Sequence, residues 1–223
     1  MRLTDEEHAR ISDAITSAEQ TTSGEIFCVV ARRTDDYRAV PFAWAALAAI
    51  VLAPLLLWLG IPDPRWFTSG GWSDGGHPEP QRIIALYAAL SALLFILTFL
   101  VVRTPPVLRF LTPRSLKRSA VHRAAVESFL SHGIHVTAER TGVLIFLSLE
   151  DHVAEIVADG GIYAKVAHDV WGDALDALLT EVKDGKLADG FVSAIGMCGA
   201  LLSAHFPPGD RNPNELPDKL IEI

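Results

Sequence analysis

Residues 41–60 read PFAWAALAAIVLAPLLLWLG and residues 83–102 read IIALYAALSALLFILTFLVV. Neither run contains Asp, Glu, Lys, Arg or His. At a rise of about 1.5 Å per residue, twenty helical residues span a hydrocarbon core of about 30 Å. A core helix can also be apolar all round, but two charge-free runs this long in 223 residues fit a bilayer better. Trp44, Trp58 and Tyr87 lie toward the run ends, where amphipathic rings suit the headgroup layer, and Pro54 bends the first helix without exposing it to water. The reading is a two-helix transmembrane hairpin, residues 40–60 and 83–102 joined by residues 61–82. It interrupts one domain built from residues 1–39 and 103–223.

Basic residues near the span ends set the orientation. Arg32, Arg33 and Arg38 precede the first run; Arg103, Arg109, Arg114, Lys117, Arg118 and Arg123 follow the second with no acidic residue among them. The connection holds only Arg65 and Arg82, and its glycines and prolines, as in Ser69-Gly70-Gly71-Trp72 and Asp74-Gly75-Gly76-His77-Pro78, point to an irregular external loop. Both termini and the soluble domain are therefore expected in the cytoplasm, in the manner of a bacterial inner-membrane protein. The first residues, Met1-Arg2-Leu3-Thr4-Asp5-Glu6-Glu7, lack the apolar core and small-residue cleavage site of a signal peptide, so the first span is expected to drive insertion.

Composition narrows the partners. Cys28 and Cys198 are far apart, each within an apolar segment, which suits buried free thiols rather than a disulfide or a metal site. The net charge is −8, and from Glu139 onward fifteen Asp/Glu stand against six Lys/Arg, so a nucleic-acid partner is disfavoured. The single basic cluster follows the second span, which makes membrane lipid, through its anionic headgroups, the expected neighbour. Ala45, Ala46, Ala48 and Ala49 permit close helix packing in the bilayer, with other membrane proteins or further copies of the chain.

Outside the two runs, about 180 residues alternate helix and strand. Thr4-Asp5-Glu6-Glu7 is a capping box, and Ile11, Ile15 and Ala18 mark one stripe of a helix ending near Gln20. Residues 25–31 form a continuous apolar run, typical of a strand buried on both faces. A helix is expected over 115–132, stopped by Gly133. Strands are expected over 142–149 and 153–158, joined by a solvated turn at Glu150-Asp151-His152. Val166, Val170, Trp171, Leu175, Leu178, Leu179 and Val182 mark a further helix ended by Asp184-Gly185, and a last one covers about 187–205. The remainder, from Pro207 to Asp218, reads as extended loop. The expected fold is α/β, a small mixed sheet flanked by helices on both faces, with strands one and two parallel and strands two and three antiparallel.

Several of these segments resemble the TPM domain. They are Thr22-Ser23-Gly24-Glu25 entering strand one, Thr141-Gly142-Val143-Leu144-Ile145-Phe146 entering strand two, and the Asp159-Gly160-Gly161-Ile162 turn. Trp171, Phe206-Pro207-Pro208 and Asn214-Glu215-Leu216-Pro217 complete the set. The resemblance implies an α/β/α fold in a membrane-associated protein, of a family linked to acid phosphatase activity, calcium binding and maintenance of membrane protein complexes. The usual family arrangement is a signal peptide, an exported domain and often a C-terminal anchor. This chain differs by carrying its spans inside the domain.

Chemistry is sought at individual residues. Asp159 follows the third strand and precedes two glycines, so its carboxylate can sit at the sheet edge beside backbone amides, where an anion or metal site can form; Asp-Gly is also ordinary turn chemistry. Glu25 opens strand one and Arg140 precedes strand two, charges that complete an acidic or phosphate-facing cleft if their ends converge. Asp159 and Arg140 are the candidate catalytic residues, and Asp159 and Glu25 the candidate ligands of a divalent cation, calcium or magnesium. His132 and His135 straddle Gly133 and do not share a helical face, and His122, His168 and His205 are assigned no role. Nucleotide-binding loops and the serine-hydrolase elbow are missing, so no nucleotide cofactor is expected. Two readings of different classes stand: a membrane-tethered binding or accessory module of a membrane assembly, and a metal-assisted acid phosphatase acting on phosphomonoesters.

Overall fold

The first helix begins at its capping box. In the computed structural model, whose described residues are 3–61, 80–166, 168–209 and 213–223, Glu7 N donates to Thr4 Oγ1 at 3.2 Å and Thr4 N donates to the Glu7 carboxylate at 2.8 Å. Helix α1 (Asp5–Glu19) follows, then strand β1 (Glu25–Ala31), α2 (Ala39–Trp58), α3 (Pro80–Val102), α4 (Pro105–Leu111) and α5 (Arg114–Ser131). A 3₁₀ turn at Ile134–Val136 leads to β2 (Gly142–Ser148), β3 (Val153–Ala158) and the one-turn helix α6 (Gly160–Tyr163). A second 3₁₀ turn, His168–Trp171, precedes α7 (Gly172–Lys183), α8 (Leu187–His205) and the short strand β4 (Leu220–Glu222). The chain divides into two units, Met1–Asp35 with Arg114–Ile223, and Asp36–Pro113.

In the first unit the sheet has the order β3-β2-β1-β4. The β1 and β2 strands run parallel in unbroken register from Glu25 opposite Gly142 to Ala31 opposite Ser148. The β3 strand is antiparallel to β2, and β4 lies parallel along the other edge of β1, with Cys28 opposite Leu220. Side-chain alternation divides the core in two. Ile26, Cys28 and Val30 join Val143, Ile145 and Leu147 against α1, α7 and α8, whose Ile11, Ile15, Leu178, Phe191, Ile195 and Leu202 are buried. Phe27, Val29 and Ala31 join Leu144 and Phe146 on the other face against Val121, Ala125 and Phe129 of α5, with Ile134 and Leu216. The sheet is mixed and covered on both faces, as the alternating pattern predicts. Burial pushes the Cys198 thiol up to about 12 and the Cys28 thiol well above its ordinary range, so both stay protonated and inert.

Several local expectations are corrected. The helix expected from Val166 starts at Gly172, because the preceding turn is 3₁₀ and Trp171 serves as its N-cap. Asp159-Gly160-Gly161-Ile162 forms the start of α6, with Asp159 as N-cap. The tail is not all loop: its last residues find the free edge of β1 and become β4, a long-range pairing with no local signature. Asp151 is not solvated; it is buried and accepts hydrogen bonds from Ser148 Oγ at 2.7 Å and Thr34 Oγ1 at 2.9 Å.

In the second unit α2 and α3 pack against each other, with the rings of Phe42 and Phe99 4.8 Å apart. Phe42 opens α2 and Phe99 lies near the end of α3, so the helices run antiparallel. Thr104, in extended conformation, and Pro105 turn the chain into α4, and Trp44 Nε1 donates to Leu111 O at 3.3 Å. Among the described residues three helices are long and apolar enough to cross a membrane: α2, residues Ile83–Val102 of α3, and α8. The apolar side chains of α8 are largely in the core, whereas α2 and α3 expose Ile50, Leu55, Trp58, Ile84, Ile96 and Leu100. The expected external loop lies almost wholly outside the described residues.

Gly142 shows why β2 opens on glycine. A Cβ there would stand 2.5 Å from the Ile134 carbonyl oxygen and 2.6 Å from Ile134 Cγ2. A Gly142→Ala substitution is expected to destabilise the domain by about 1–3 kcal/mol through overpacking, whereas Gly160→Ala, with nothing within 4 Å of its added methyl, stays within about 0.5 kcal/mol of the parent. Urea unfolding of the detergent-purified chain measures the difference, and equal midpoints would contradict the contact.

Candidate functional site

The register gathers the sequence candidates at one end of the sheet. Glu25 stands opposite Gly142, and Asp159 N donates to Gly142 O at 2.9 Å, which sets the three residues in one row across β1, β2 and the end of β3. Glu25 N donates in turn to Thr141 O at 3.2 Å. Arg140 lies two residues before Gly142 with φ 55°, in the left-handed region, and its side chain is exposed. Among the described residues it makes no ion pair. Gly161 brings α6 against the same loop: a Cβ there would meet Arg140 O at 2.5 Å and Glu139 O at 2.9 Å. Glycine thus lets the Asp159 turn dock beneath the main chain of Arg140.

Within this row the side chains have different duties. Glu25 is buried, and its Oε2 accepts from Leu216 N at 3.1 Å and Glu215 N at 3.3 Å. Burial raises its pKa, against the lowering effect of those two amides. Its function is to bind the C-terminal segment to the sheet. Ile134, seated over Gly142, occupies the position between Glu25 and Asp159. Asp159 is nine-tenths buried; one oxygen accepts the Gly160 N–H, and its main-chain carbonyl accepts from Ile162 N at 3.0 Å and Tyr163 N at 3.2 Å. Among the described residues its Oδ2, which is buried, has no hydrogen-bond partner. Turn chemistry therefore accounts for one carboxylate oxygen and not the other.

These donors do not make a cage for a divalent cation. Among the described residues no three His, Cys, Asp or Glu side chains gather in metal-ligating geometry, and calcium requires about six to eight oxygens. Asp159 offers one free carboxylate oxygen. The histidines are placed elsewhere: His122 contacts Glu155, His132 hydrogen-bonds Ser128 O at 2.8 Å and stands 5.0 Å from the Phe27 ring, and His205 closes α8.

A carboxyl pair that the sequence analysis did not single out sits at the β1 edge. The β4 strand begins pairing only at Cys28, which leaves Ile26 N–H open, and Glu19 accepts it at 2.7 Å. Glu19 also hydrogen-bonds to Asp218, which takes further bonds from Thr16 Oγ1 and, at 2.6 Å, from Asn214 Nδ2. Burial, with Glu25 and Asp218 close by, pushes Glu19 up to about 8 despite the Ile26 amide. Glu19 therefore holds its proton through neutral pH. A signal existed: Glu19 falls at the fourth residue after Ile15 and the eighth after Ile11, on the buried stripe of α1.

Residues 102–201 match the model of the TPM domain. No curated protein matches the chain. The NMR structure of BA42 protein from the psychrophilic bacterium Bizionia argentinensis is similar at a TM-score of 0.57 and 21% identity, over 100% of this chain and 97% of that one, which shows a shared fold. The TPM match begins at the end of α3 and runs into α8, so it includes Arg140 and Asp159. Glu19, Glu25 and Asp218 lie outside it.

Glu19 sets a pH dependence. A folded pKa raised above the unfolded value of 4.5 means that the native state holds the Glu19 proton more tightly. Its contribution to stability is full below about 4.5 and falls as pH rises toward about 8. Glu19→Gln keeps an acceptor for Ile26 N–H and removes the titration. The urea midpoint of the parent is expected to fall from pH 5 to pH 9 more steeply than that of the variant; parallel profiles would show that Glu19 is ionised throughout.

Proposed function

We propose that this chain is a membrane-anchored binding module, a TPM domain held at the bilayer by two transmembrane helices and serving a membrane assembly. The observation that carries the reading is the surface of α2 and α3. Trp58 is 81% exposed and Ile50 68%, in helices without a charged residue between 41 and 60 or between 83 and 102. Each large side chain left in water forgoes about 1.5–3 kcal/mol relative to burial, and a bilayer removes that cost. In this reading both termini and the domain are cytoplasmic, supported by the arginines that flank the two helices under the positive-inside rule. Apolar outer surfaces with small residues suit neighbouring membrane proteins or a second copy. The full chain is expected to resist alkaline carbonate extraction. In intact spheroplasts, external protease is expected to reach residues 61–82 and spare both termini; cleavage at either terminus or recovery in the carbonate supernatant rules the arrangement out.

One observation favours a second reading, hydrolysis of phosphomonoesters: Asp159 Oδ2 and the Arg140 guanidinium, neither with a partner among the described residues, belong to the same end of the sheet. In this reading Arg140 holds the phosphate and Asp159 serves as nucleophile or as one ligand of calcium or magnesium. Asp159→Asn should then reduce phosphatase turnover of the purified chain by two orders of magnitude or more. Turnover that is absent with calcium, with magnesium and with chelator, or that survives the substitution, leaves the binding module alone.

A further inference from the structure

The last stretch of chain is held by few apolar contacts and many polar ones. Of residues 213–223 only Leu216 and Leu220 are buried, and β4 pairs with β1 only from Cys28 to Val30. Hydrogen bonds supply most of the remaining attachment. Glu25 accepts from Glu215 N and Leu216 N. The Asp218 carboxylate accepts from Thr16 Oγ1 and Asn214 Nδ2, and its main-chain carbonyl accepts from Ser12 Oγ at 2.6 Å. Further along, His8 meets Glu222 at 2.9 Å and Ile223 N donates to Val30 O at 2.9 Å. A segment that buries so little apolar surface belongs to the low-stability end of a fold and can open while the sheet stays intact.

Glu19 stands where this segment crosses α1 and β1. It is 7% exposed, accepts Ile26 N and hydrogen-bonds to Asp218. The groups that face it are Glu25 and the Cys28 thiol from β1 and Asp218 from the segment; Glu25 in turn faces Glu215 and Asp218. Helix α1 carries no charge between Asp13 and Glu19. Helix α8 packs along α1, and its titratable residues are Asp189, paired with Arg10, the buried Cys198, and His205, exposed at the C-terminal end. A hydrogen bond between two carboxyls exists only while one of them carries a proton, because two carboxylates are both acceptors. With the proton in place, Glu19 ties Asp218 to α1. Without it, two like charges meet beside Glu25 in a poorly solvated site and the contact becomes repulsive. Glu19 and Glu25 are fixed in α1 and β1, so the member able to leave for water is Asp218.

We propose that residues 213–223 form a proton-locked latch: protonated Glu19 holds Asp218 and keeps the segment on the edge of β1, and ionisation of Glu19 releases it and uncovers Glu25. Glu215 leaves with the segment, so the bond it accepts from Ala138 N is lost and the loop that bears Arg140 is freed. The folded pKa of Glu19 lies above its unfolded value of 4.5, so the lock is strongest at low pH and is lost as pH rises through about 8. The inference concerns the first unit alone and stands independently of the membrane reading.

The test is hydrogen–deuterium exchange of the full chain in detergent at pH 7 and pH 9, read by mass spectrometry on peptides covering 213–223 and 142–148 and corrected for the intrinsic pH dependence of exchange. A carboxyl with a pKa of about 8 closed and about 4.5 open shifts the opening equilibrium about tenfold over this interval. Protection of the C-terminal peptide is therefore expected to be lower than that of the β2 peptide at both pH values, and to fall about tenfold from pH 7 to pH 9. Glu19→Gln keeps an acceptor for Ile26 N–H and a donor for Asp218 without a titrating proton, and its C-terminal protection is expected to be the same at both pH values. An equal fall in this variant assigns the titration to another group and overturns the proposal. The parent alone decides it if the variant folds poorly: C-terminal protection that is flat between pH 7 and pH 9, or equal to that of β2 so that the segment opens only with the whole domain, overturns it as well.

Discussion

The parallel ladder between β1 and β2 is the constraint on which the rest of the structure depends. Seven consecutive residues of each strand pair in register, although the chain leaves β1 at Ala31 and returns to β2 only at Gly142. Parallel neighbours always require a crossover, and here the crossover contains a helical pair with its own contacts as well as α5. The insertion adds loop-closure entropy that grows only with the logarithm of its length. Two buried strands can therefore tolerate a crossover of this size, provided the ladder itself is strong. Both strands are buried at every position, which supplies that strength.

The free edge of β1 poses a second problem, solved by polar chemistry. A sheet edge presents unpaired amides, and β4 covers only Cys28 to Val30. Glu19 caps Ile26, and the segment from Asn214 to Asp218 is laced to α1 and Glu25 by side-chain hydrogen bonds. Glu215 reaches the opposite way and accepts Ala138 N at 2.8 Å, tying the same segment to the loop that bears Arg140. The C-terminal segment thus connects the edge of the sheet to the candidate site. Gly142 and Gly161 admit that loop from two sides, and Ile134 fills the space between Glu25 and Asp159.

Much of this was legible before any coordinates. The continuous apolar runs at 25–31 and 142–149 read as strands buried on both faces, and Glu150-Asp151-His152 as a tight connection that makes the third strand antiparallel. Gly133 at φ 71° and Gly185 at φ 80° end their helices where the sequence places the stops. What was not legible depended on partners distant in the chain. The tail from Pro207 has the composition of a loop, and Leu220–Glu222 becomes a strand only because β1 offers an edge. Glu25 reads as an exposed charge at a strand end, yet it is buried because the Glu215 and Leu216 amides come to it across 190 residues or more.

The sequence by itself determined the alternation of elements, the mixed α/β class and the two long apolar helices, because these follow from periodicity, run length and breakers that act within a few residues. Tertiary structure shows how α8, apolar and long enough to span a membrane, differs from α2 and α3: it is hidden by α1, α7 and the sheet, while α2 and α3 expose their apolar surfaces. It also decided that Glu25 binds the tail while Asp159 keeps an oxygen without a partner among the described residues, and that burial raises the Glu19 carboxyl to about 8. Burial and hydrogen-bond partnership arise from residues far apart in the chain, and no local pattern encodes the surroundings that set the charge of a carboxyl group.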